Sequence, residues 1–178
     1  MNEGTMTRYY LSIGTNTEPI YHLQRILERL HHPPAWTLHA VSSVYVSADA
    51  KGGNRLYHNM AVMVRSQHPP EAFKREVLQA IERDLGRVKG SAEVVADLDI
   101  VLIDERVMTY LGRTIPDPAV LEQAFVLVPL AEIAPDYFHP LEQRTLAEVR
   151  QGFEAHKLAT LSKLQPQPNL YPSQWDSP

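Results

Sequence analysis

The sequence predicts an α+β fold, with an antiparallel sheet and helices on one of its faces. Two segments, 18–31 and 70–85, place apolar residues at the spacing of amphipathic helices. Four segments have the apolar pattern of strands, namely 8–13, 36–47, 56–66 and 97–103. Their order along the chain is β-α-β-β-α-β, which is the plan of the ferredoxin-like sandwich. This plan leaves the other face of the sheet open for a ligand or for the C-terminal extension.

The elements of the first half are predicted from the periodicity of their side chains. The first strand alternates, and Gly14 ends it. The helix over 18–31 accepts Pro19 in its first turn. The β-branched run 36–47 is predicted as one long strand. The strand over 56–66 alternates throughout, so one face carries His58, Met60, Val62 and Val64, and the other carries Tyr57, Asn59, Ala61 and Met63.

The second half adds a helix over 70–85, which ends at Gly86, and the strand 97–103. In that strand the alternation places Asp97, Asp99, Val101 and Ile103 on one face. A further helix is predicted over 145–161.

The length of 178 residues suits a single domain, which we place at residues 1–161. Residues 162–178 form a Pro-rich polar tail, in which Leu170, Tyr171 and Trp175 are candidates to hold the tail against the domain.

Composition excludes several classes of protein. The chain has no cysteine, which excludes disulfides and thiolate metal sites. The net charge of −4 and the lack of a Lys/Arg block disfavour a nucleic-acid partner. No apolar run approaches the roughly 20 residues of a membrane span, and the N-terminus does not have the pattern of a signal peptide. We therefore expect a cytoplasmic protein with small-molecule partners and no membrane partner. The oligomeric state is not predicted.

The acidic pair at the start of the strand 97–103 is the strongest candidate site. Residues two apart in a strand face the same way and lie about 6.5–7 Å apart, so Asp97 and Asp99 point into one volume. Such a pair suits Mg²⁺, which is often held by one or two carboxylates plus substrate phosphates. The alternative is a solvated strand end. The site is favoured because the pair continues an apolar face, and because Arg87 and Lys89 in the preceding loop suit phosphate oxygens.

Several motifs in order along the chain resemble the 6-hydroxymethyl-7,8-dihydropterin pyrophosphokinases of folate biosynthesis. The segments that carry the resemblance are YYLSIGTN, VSSVYVS, YHNMAV, IERDLGR, DLDIVLID and IPDPAVLEQAFVLVPLAEIAPD. The resemblance implies the ferredoxin-like fold. It also implies an ATP-dependent transferase, in which ATP donates its diphosphate to the hydroxymethyl oxygen of the pterin and two Mg²⁺ ions bridge the acidic pair and the triphosphate.

The resemblance also implies the roles of individual residues. Asp97 and Asp99 would hold the metal ions and act in catalysis together with Arg87. The residues implied around the pterin are Ser47, Tyr57, Asn59 and Phe125. The residues implied on the ATP side are Glu82, Arg87, Lys89, the backbone of Ile100, and Thr114.

The sequence departs from the family pattern on the phosphate side. Val95 and Ala96 stand where the family has Arg-Thr or similar, Asp117 stands where it has histidine, and Gln123 replaces a later arginine. One interpretation is an active enzyme with a rebuilt phosphate clamp, for which the candidates are Lys51, Arg55, Lys89 and Arg113. The alternative is a catalytically weakened or inactive paralogue that binds a pterin or nucleotide, or acts on a related substrate.

Overall fold

The computed structural model describes residues 4–170 and is built around one antiparallel sheet. The strands are β1 (Thr7–Thr15), β2 (Trp36–Val41), β3 (Tyr45–Ala48), β4 (Leu56–Ser66), β5 (Asp97–Ile103), β6 (Met108–Tyr110), β7 (Arg113–Ile115), β8 (Phe138–His139), β9 (Arg144–Thr145) and β10 (Leu161–Lys163). The main sheet has the order β10-β3-β4-β1-β5, and β2 also pairs with β4. The pairs β6–β7 and β8–β9 are separate hairpins. The order and the antiparallel pairing confirm the predicted ferredoxin-like α+β class.

The helices pack against both faces of this sheet. Helix α2 is continuous and consists of three segments, Pro70–Ala72, Phe73–Leu78 and Gln79–Asp84, of which the middle one is π-helical. The other helices are α1 (Pro19–Arg29), α3 (Ala119–Glu122), α4 (Ala124–Ile133), α5 (Leu146–Gln151) and α6 (Ala155–Leu158).

Helices α1 and α2 cover one face, as predicted. The alternation of β1 and β4 places Leu11 and Met60 in a core with residues of these two helices, and the rings of Tyr9 and Phe73 stack with their centroids 4.2 Å apart. The opposite face carries a second core, in which Tyr10 and Ala61 pack against α4 and α5. The face that the sequence leaves open is therefore covered by the C-terminal part of the chain, except where it borders the cavity described below.

Helix α4 is absent from the sequence prediction. Its segment AFVLVPLAEI is apolar nearly throughout and contains Pro129, so it lacks the periodicity of an amphipathic helix. Leu127 and Leu130 of this helix are fully buried. The helix is apolar on every side because it packs into the second core.

Two other predicted elements are divided in the structure. The single strand predicted over 36–47 is wrong, because residues 42–44 separate β2 from β3. At the break, the hydroxyl oxygen of Ser42 accepts a hydrogen bond from the amide of Ala61 at 2.8 Å. The helix predicted over 145–161 is likewise wrong, because α5 and α6 are separate short helices.

The start of the predicted tail takes part in the fold. Strand β10 crosses the predicted boundary between residues 161 and 162 and pairs with β3. Gln167 accepts a hydrogen bond from the amide of Val44 at 2.7 Å, and Leu170 is buried. The other two predicted anchors, Tyr171 and Trp175, lie outside the described residues.

A β-bulge in β5 changes which residues face the site. Tyr10 pairs with Leu102, whereas Leu11 pairs with Ile100, so Val101 is an extra residue in β5. The alternation reverses after the bulge. Ile103 therefore packs in the core under α1 and α2, and the prediction that it shares a face with Asp97 and Asp99 is wrong.

We predict that the core around α4 contributes strongly to stability. Leu130 is fully buried, so Leu130→Ala should lower the free energy of unfolding by about 2–5 kcal/mol. Leu141, which is 61% exposed, provides a matched control, and Leu141→Ala should change the free energy of unfolding by less than about 0.5 kcal/mol. Urea denaturation measures both values. Equal losses in the two variants would contradict the assignment of α4 to a packed core.

Candidate active site

A cavity of about 530 Å³ lies on the sheet face next to α4, where β1, β3, β4 and β5 meet. The loop that follows α2 and the segment that follows β7 form its other walls. Seven of the predicted site residues line this one cavity: Ser47, Tyr57, Asn59, Arg87, Asp97, Asp99 and Phe125. The structure thus brings together the residues predicted for the metal and the pterin, along with Arg87.

The remaining four predicted residues do not line the cavity. Ile100 is fully buried in the core under α1 and α2, while Lys89 and Thr114 are exposed. Glu82 accepts a hydrogen bond from the amide of Leu98 at 2.8 Å. Burial raises the pKa of the Glu82 carboxyl, and this amide hydrogen bond opposes the rise.

The side of the cavity formed by β3 and β4 is ordered by Asn59. Its side-chain nitrogen donates to the hydroxyl of Ser47 at 3.0 Å and to the carbonyl of Tyr45 at 3.3 Å. These bonds orient the amide group, and its oxygen lies on the side of Gly14. Tyr57 stands beside it, and burial raises the pKa of the Tyr57 phenol. This wall therefore presents an oriented polar group next to an aromatic ring.

The acidic pair lies on the opposite side of the cavity, at the start of β5. Burial raises the pKa of Asp97, and the nearby charge of Asp99 raises it further, whereas Arg87, Lys74 and Arg113 act in the opposite direction. Both carboxylates line the cavity, as the spacing of two predicts. The pair is therefore a place where added positive charge is stabilising.

Arg113 and Asp117 form an ion-pair chain with this acidic pair. The guanidinium of Arg113 contacts Asp99 at 2.9 Å and Asp117 at 3.1 Å. Asp117 is itself held, because its carboxylate accepts from the amide of Ala119 and its own amide donates to the carbonyl of Val101, each at 2.9 Å. Asp117, the acid that the sequence resemblance places at the position of a family histidine, thus contacts an arginine.

Two further cations stand near the pair. The ammonium of Lys74 lies 3.4 Å from Asp99 and donates to the carbonyl of Leu98 at 2.6 Å. Arg87 lines the cavity, and its buried Nη1 has no hydrogen-bond partner among the described residues. Lys74 was missed in the sequence because it directly follows Phe73 of an apolar stripe, and the periodicity does not indicate that the helix is π-helical at this point.

The donor set fits a metal ion that is shared with a substrate. Within residues 4–170, no group of three or more His, Cys, Asp or Glu side chains is arranged to bind a metal. Asp97 and Asp99 supply two carboxylates, so the remaining ligands would be phosphate oxygens and water. Mg²⁺ is commonly bound in this way.

The fold and the cavity define an α+β domain of the ferredoxin-like class with a ligand-sized, acid-lined cleft. The family model of 7,8-dihydro-6-hydroxymethylpterin-pyrophosphokinase, HPPK, matches residues 10–135. Because this match covers more than half of the chain, the chain belongs to the HPPK family. The resemblance found in the sequence motifs is thereby confirmed.

Individual relatives agree with this assignment. The 2-amino-4-hydroxy-6-hydroxymethyldihydropteridine pyrophosphokinase of Haemophilus influenzae is 30% identical over 161 residues, which are 88% of this chain and 99% of that protein. The protein of the same name from Pseudomonas aeruginosa is 32% identical over 134 residues, which are 72% of this chain and 82% of that protein. The folic acid synthesis protein fol1 of Pneumocystis carinii is 35% identical over 104 residues, which are 57% of this chain but only 14% of that protein.

A solved structure agrees at the level of the fold. The wild-type HPPK-DHPS of Plasmodium falciparum, crystallised with SDX-DHP, superposes with a TM-score of 0.69 at 11% identity. The match covers 85% of this chain and 45% of the Plasmodium chain.

Among the described residues, no helix is long and apolar enough to cross a membrane.

We predict that Asp97 lowers the stability of the protein at neutral pH. Because the pKa of Asp97 is raised in the folded state, folding favours its protonated form. Asp97→Asn should therefore raise the melting temperature at pH 7 above that of the parent. Thermal denaturation followed by circular dichroism measures the difference.

The pH dependence of this difference has a defined sign. The parent protein gains stability relative to Asp97→Asn as the pH falls through the raised pKa of Asp97. The difference in melting temperature between the variant and the parent should therefore narrow between pH 7 and about pH 4. Asp84→Asn provides the control, since a hydrogen bond from Arg29 lowers the pKa of Asp84 and its removal should not stabilise the protein. A melting-temperature difference between Asp97→Asn and the parent that stays constant with pH would disprove the raised pKa of Asp97.

Proposed function

We propose that the chain transfers the diphosphate of ATP to the hydroxymethyl group of 6-hydroxymethyl-7,8-dihydropterin, a step of folate biosynthesis, and releases AMP. One observation carries the proposal: a single cavity joins the acidic pair to the oriented Asn59 and the aromatic residues. Its volume of about 530 Å³ lies within the usual range for small-molecule sites. Membership of the HPPK family supports the same reaction. A cytoplasmic location, and partners limited to these small molecules, stay predictions.

The pterin would bind along β3 and β4. Tyr57 and Phe125 line the cavity and offer aromatic surface to a flat heterocycle. Asn59 and Ser47, already linked to each other, offer hydrogen-bond groups for the ring edge. Because the Asn59 amide is oriented before the ligand arrives, little conformational entropy is lost on binding.

The phosphates of ATP would lie between the acidic pair and the cavity's cations. Arg87 offers a buried nitrogen without a partner, and Lys51 and Arg113 also line the cavity. The other two candidates for a rebuilt clamp, Arg55 and Lys89, are less suited because neither lines the cavity. The inactive alternative is therefore not favoured, since cations are available where arginines of the family pattern are missing.

The remaining nucleotide contacts stay predictions. Thr114 adjoins Arg113 in β7, and the backbone of Ile100 belongs to β5 beside Asp99. Lys89 lies in the loop that carries Arg87. The carboxylate of Glu82 is occupied by the amide of Leu98, so its proposed role toward the nucleotide is indirect.

The chemistry follows from the positions of these groups. The hydroxymethyl oxygen would bond to the β-phosphorus and lose its proton to solvent. The bond from that phosphorus to the oxygen shared with the α-phosphate would break, so that AMP leaves. Two Mg²⁺ ions, held by Asp97 and Asp99, would neutralise charge on the phosphates. Arg87 and Arg113 would stabilise the spreading negative charge, and the walls around Tyr57 and Asn59 would hold the hydroxyl in line.

The first test is direct turnover. Purified protein with ATP, Mg²⁺ and the hydroxymethyl pterin should release AMP and form the pterin diphosphate in equal amounts. Asp97→Asn and Asp99→Asn should each lower kcat by about 10³-fold, the equivalent of about 4 kcal/mol. Asp84→Asn, an exposed aspartate bound to Arg29, should leave kcat unchanged. Absence of AMP at enzyme levels matching the substrate would refute the proposal.

The second test concerns the phosphate clamp. Arg113→Gln removes a charged donor from the cavity, so the KM for ATP should rise about tenfold or more. Arg55→Gln is a matched control, because both arginine side chains are 42% exposed and both pair with carboxylates, but Arg55 does not line the cavity. Steady-state kinetics with ATP as the varied substrate compare the two. If both variants retain the parent's KM, Arg113 does not contact the nucleotide.

A further inference from the structure

Lys74 is a buried lysine whose position calls for an explanation. Only 8% of the residue is exposed, although a buried ammonium is costly unless it is paired. It extends from the π-helical segment of α2, and such segments occur frequently at functional sites. Its two contacts are the carbonyl of Leu98 at 2.6 Å and Asp99 at 3.4 Å. Both of these residues lie at the start of β5, the strand that carries the acidic pair.

The same helix holds the backbone of β5 at a second point. Within residues 4–170, strand β5 is at the edge of the sheet, and its outer side has no strand neighbour. Glu82 accepts from the amide of Leu98, while Lys74 donates to the carbonyl of Leu98. Both backbone polar groups of the residue between Asp97 and Asp99 are thus bonded to α2.

We propose that Lys74 is a positioning residue for the acidic pair. Together with Glu82 it fixes the Leu98 peptide, which sets the separation of the two aspartates, and its ammonium fixes Oδ1 of Asp99. This role rests on the proposed function, because the geometry matters where the pair holds a metal ion over the triphosphate. Arg113 also contacts Oδ1 of Asp99, so two cations balance this carboxylate before any metal arrives.

If Lys74 has this role, its substitution should change two quantities in opposite directions, namely metal affinity and turnover. A metal ion and the ammonium repel each other at the same carboxylate, so removal of the ammonium should tighten the binding of a divalent ion alone. Turnover should nevertheless fall, because a misplacement of about 1 Å at a reacting centre can cost about 10²-fold in rate. A lysine that served only the stability of the fold would not produce this combination.

The experiment uses the full chain and the variant Lys74→Met, which keeps the length and apolar stem of the side chain. The binding of Mn²⁺ alone is followed by electron paramagnetic resonance, and it should tighten about tenfold. In steady-state kinetics kcat should fall about 10- to 100-fold, with the KM for the pterin unchanged within about twofold. Arg75→Gln is the matched control, because Arg75 is an exposed cation on the same helix, and it should leave both measurements unchanged.

Lys74→Gln provides a second variant that keeps a donor for the Leu98 carbonyl, and it replaces Lys74→Met if the latter fails to fold. The proposal is overturned if Mn²⁺ affinity fails to rise more than twofold above that of the parent, whatever the turnover, or if Arg75→Gln has the same effects. If the parent itself releases no AMP, the proposed function fails, but the Mn²⁺ comparison needs no turnover and still decides whether Lys74 acts on Asp99.

Discussion

The repulsion between two carboxylates at the start of one edge strand is the constraint on which the rest of the site depends. Asp97 and Asp99 face one cavity, as the proposed metal ion requires, and the partial burial of that cavity strengthens their repulsion. The surrounding elements reduce this repulsion by placing positively charged side chains near the pair. Helix α2 supplies Lys74, the following loop supplies Arg87, and the β6–β7 hairpin supplies Arg113. Positive charge from three elements therefore offsets the repulsion within the acidic pair.

The β-bulge connects this site to the rest of the sheet. The carbonyl of Val101, the extra residue, accepts a hydrogen bond from the amide of Asp117. That bond places Asp117 against Arg113, which in turn contacts Asp99. The bulged residue Val101 thus also bonds the segment after β7 to β5 at the cavity. The same bulge turns Ile103 into the core under α1 and α2. Bulges next to active sites commonly redirect side chains in this manner.

The sequence predicted what depends on local periodicity and missed what depends on backbone irregularity. Alternation in β4 assigned Met60 and Asn59 to opposite faces, and a spacing of two placed both aspartates in one cavity. The π-helical turn that brings in Lys74 leaves no mark in the apolar pattern. Helix α4 was missed for a different reason, because a helix buried on every side has no polar face to reveal its period.

Asp117, which the resemblance places at the position of a family histidine, shows that the charge of one residue does not by itself give the net charge around it. The neighbours that contact the residue must be counted as well. From the sequence alone, an acid there places negative charge beside the phosphates and argues for a weakened enzyme. In the structure this carboxylate is bound by Arg113 and by the amide of Ala119, so its charge is largely compensated within the protein. If a metal ion bound Asp99, as the proposed function requires, Arg113 would still be held by Asp117 at the cavity wall. The acid at position 117 therefore keeps a guanidinium at the cavity wall, where the proposed function requires positive charge for the phosphates.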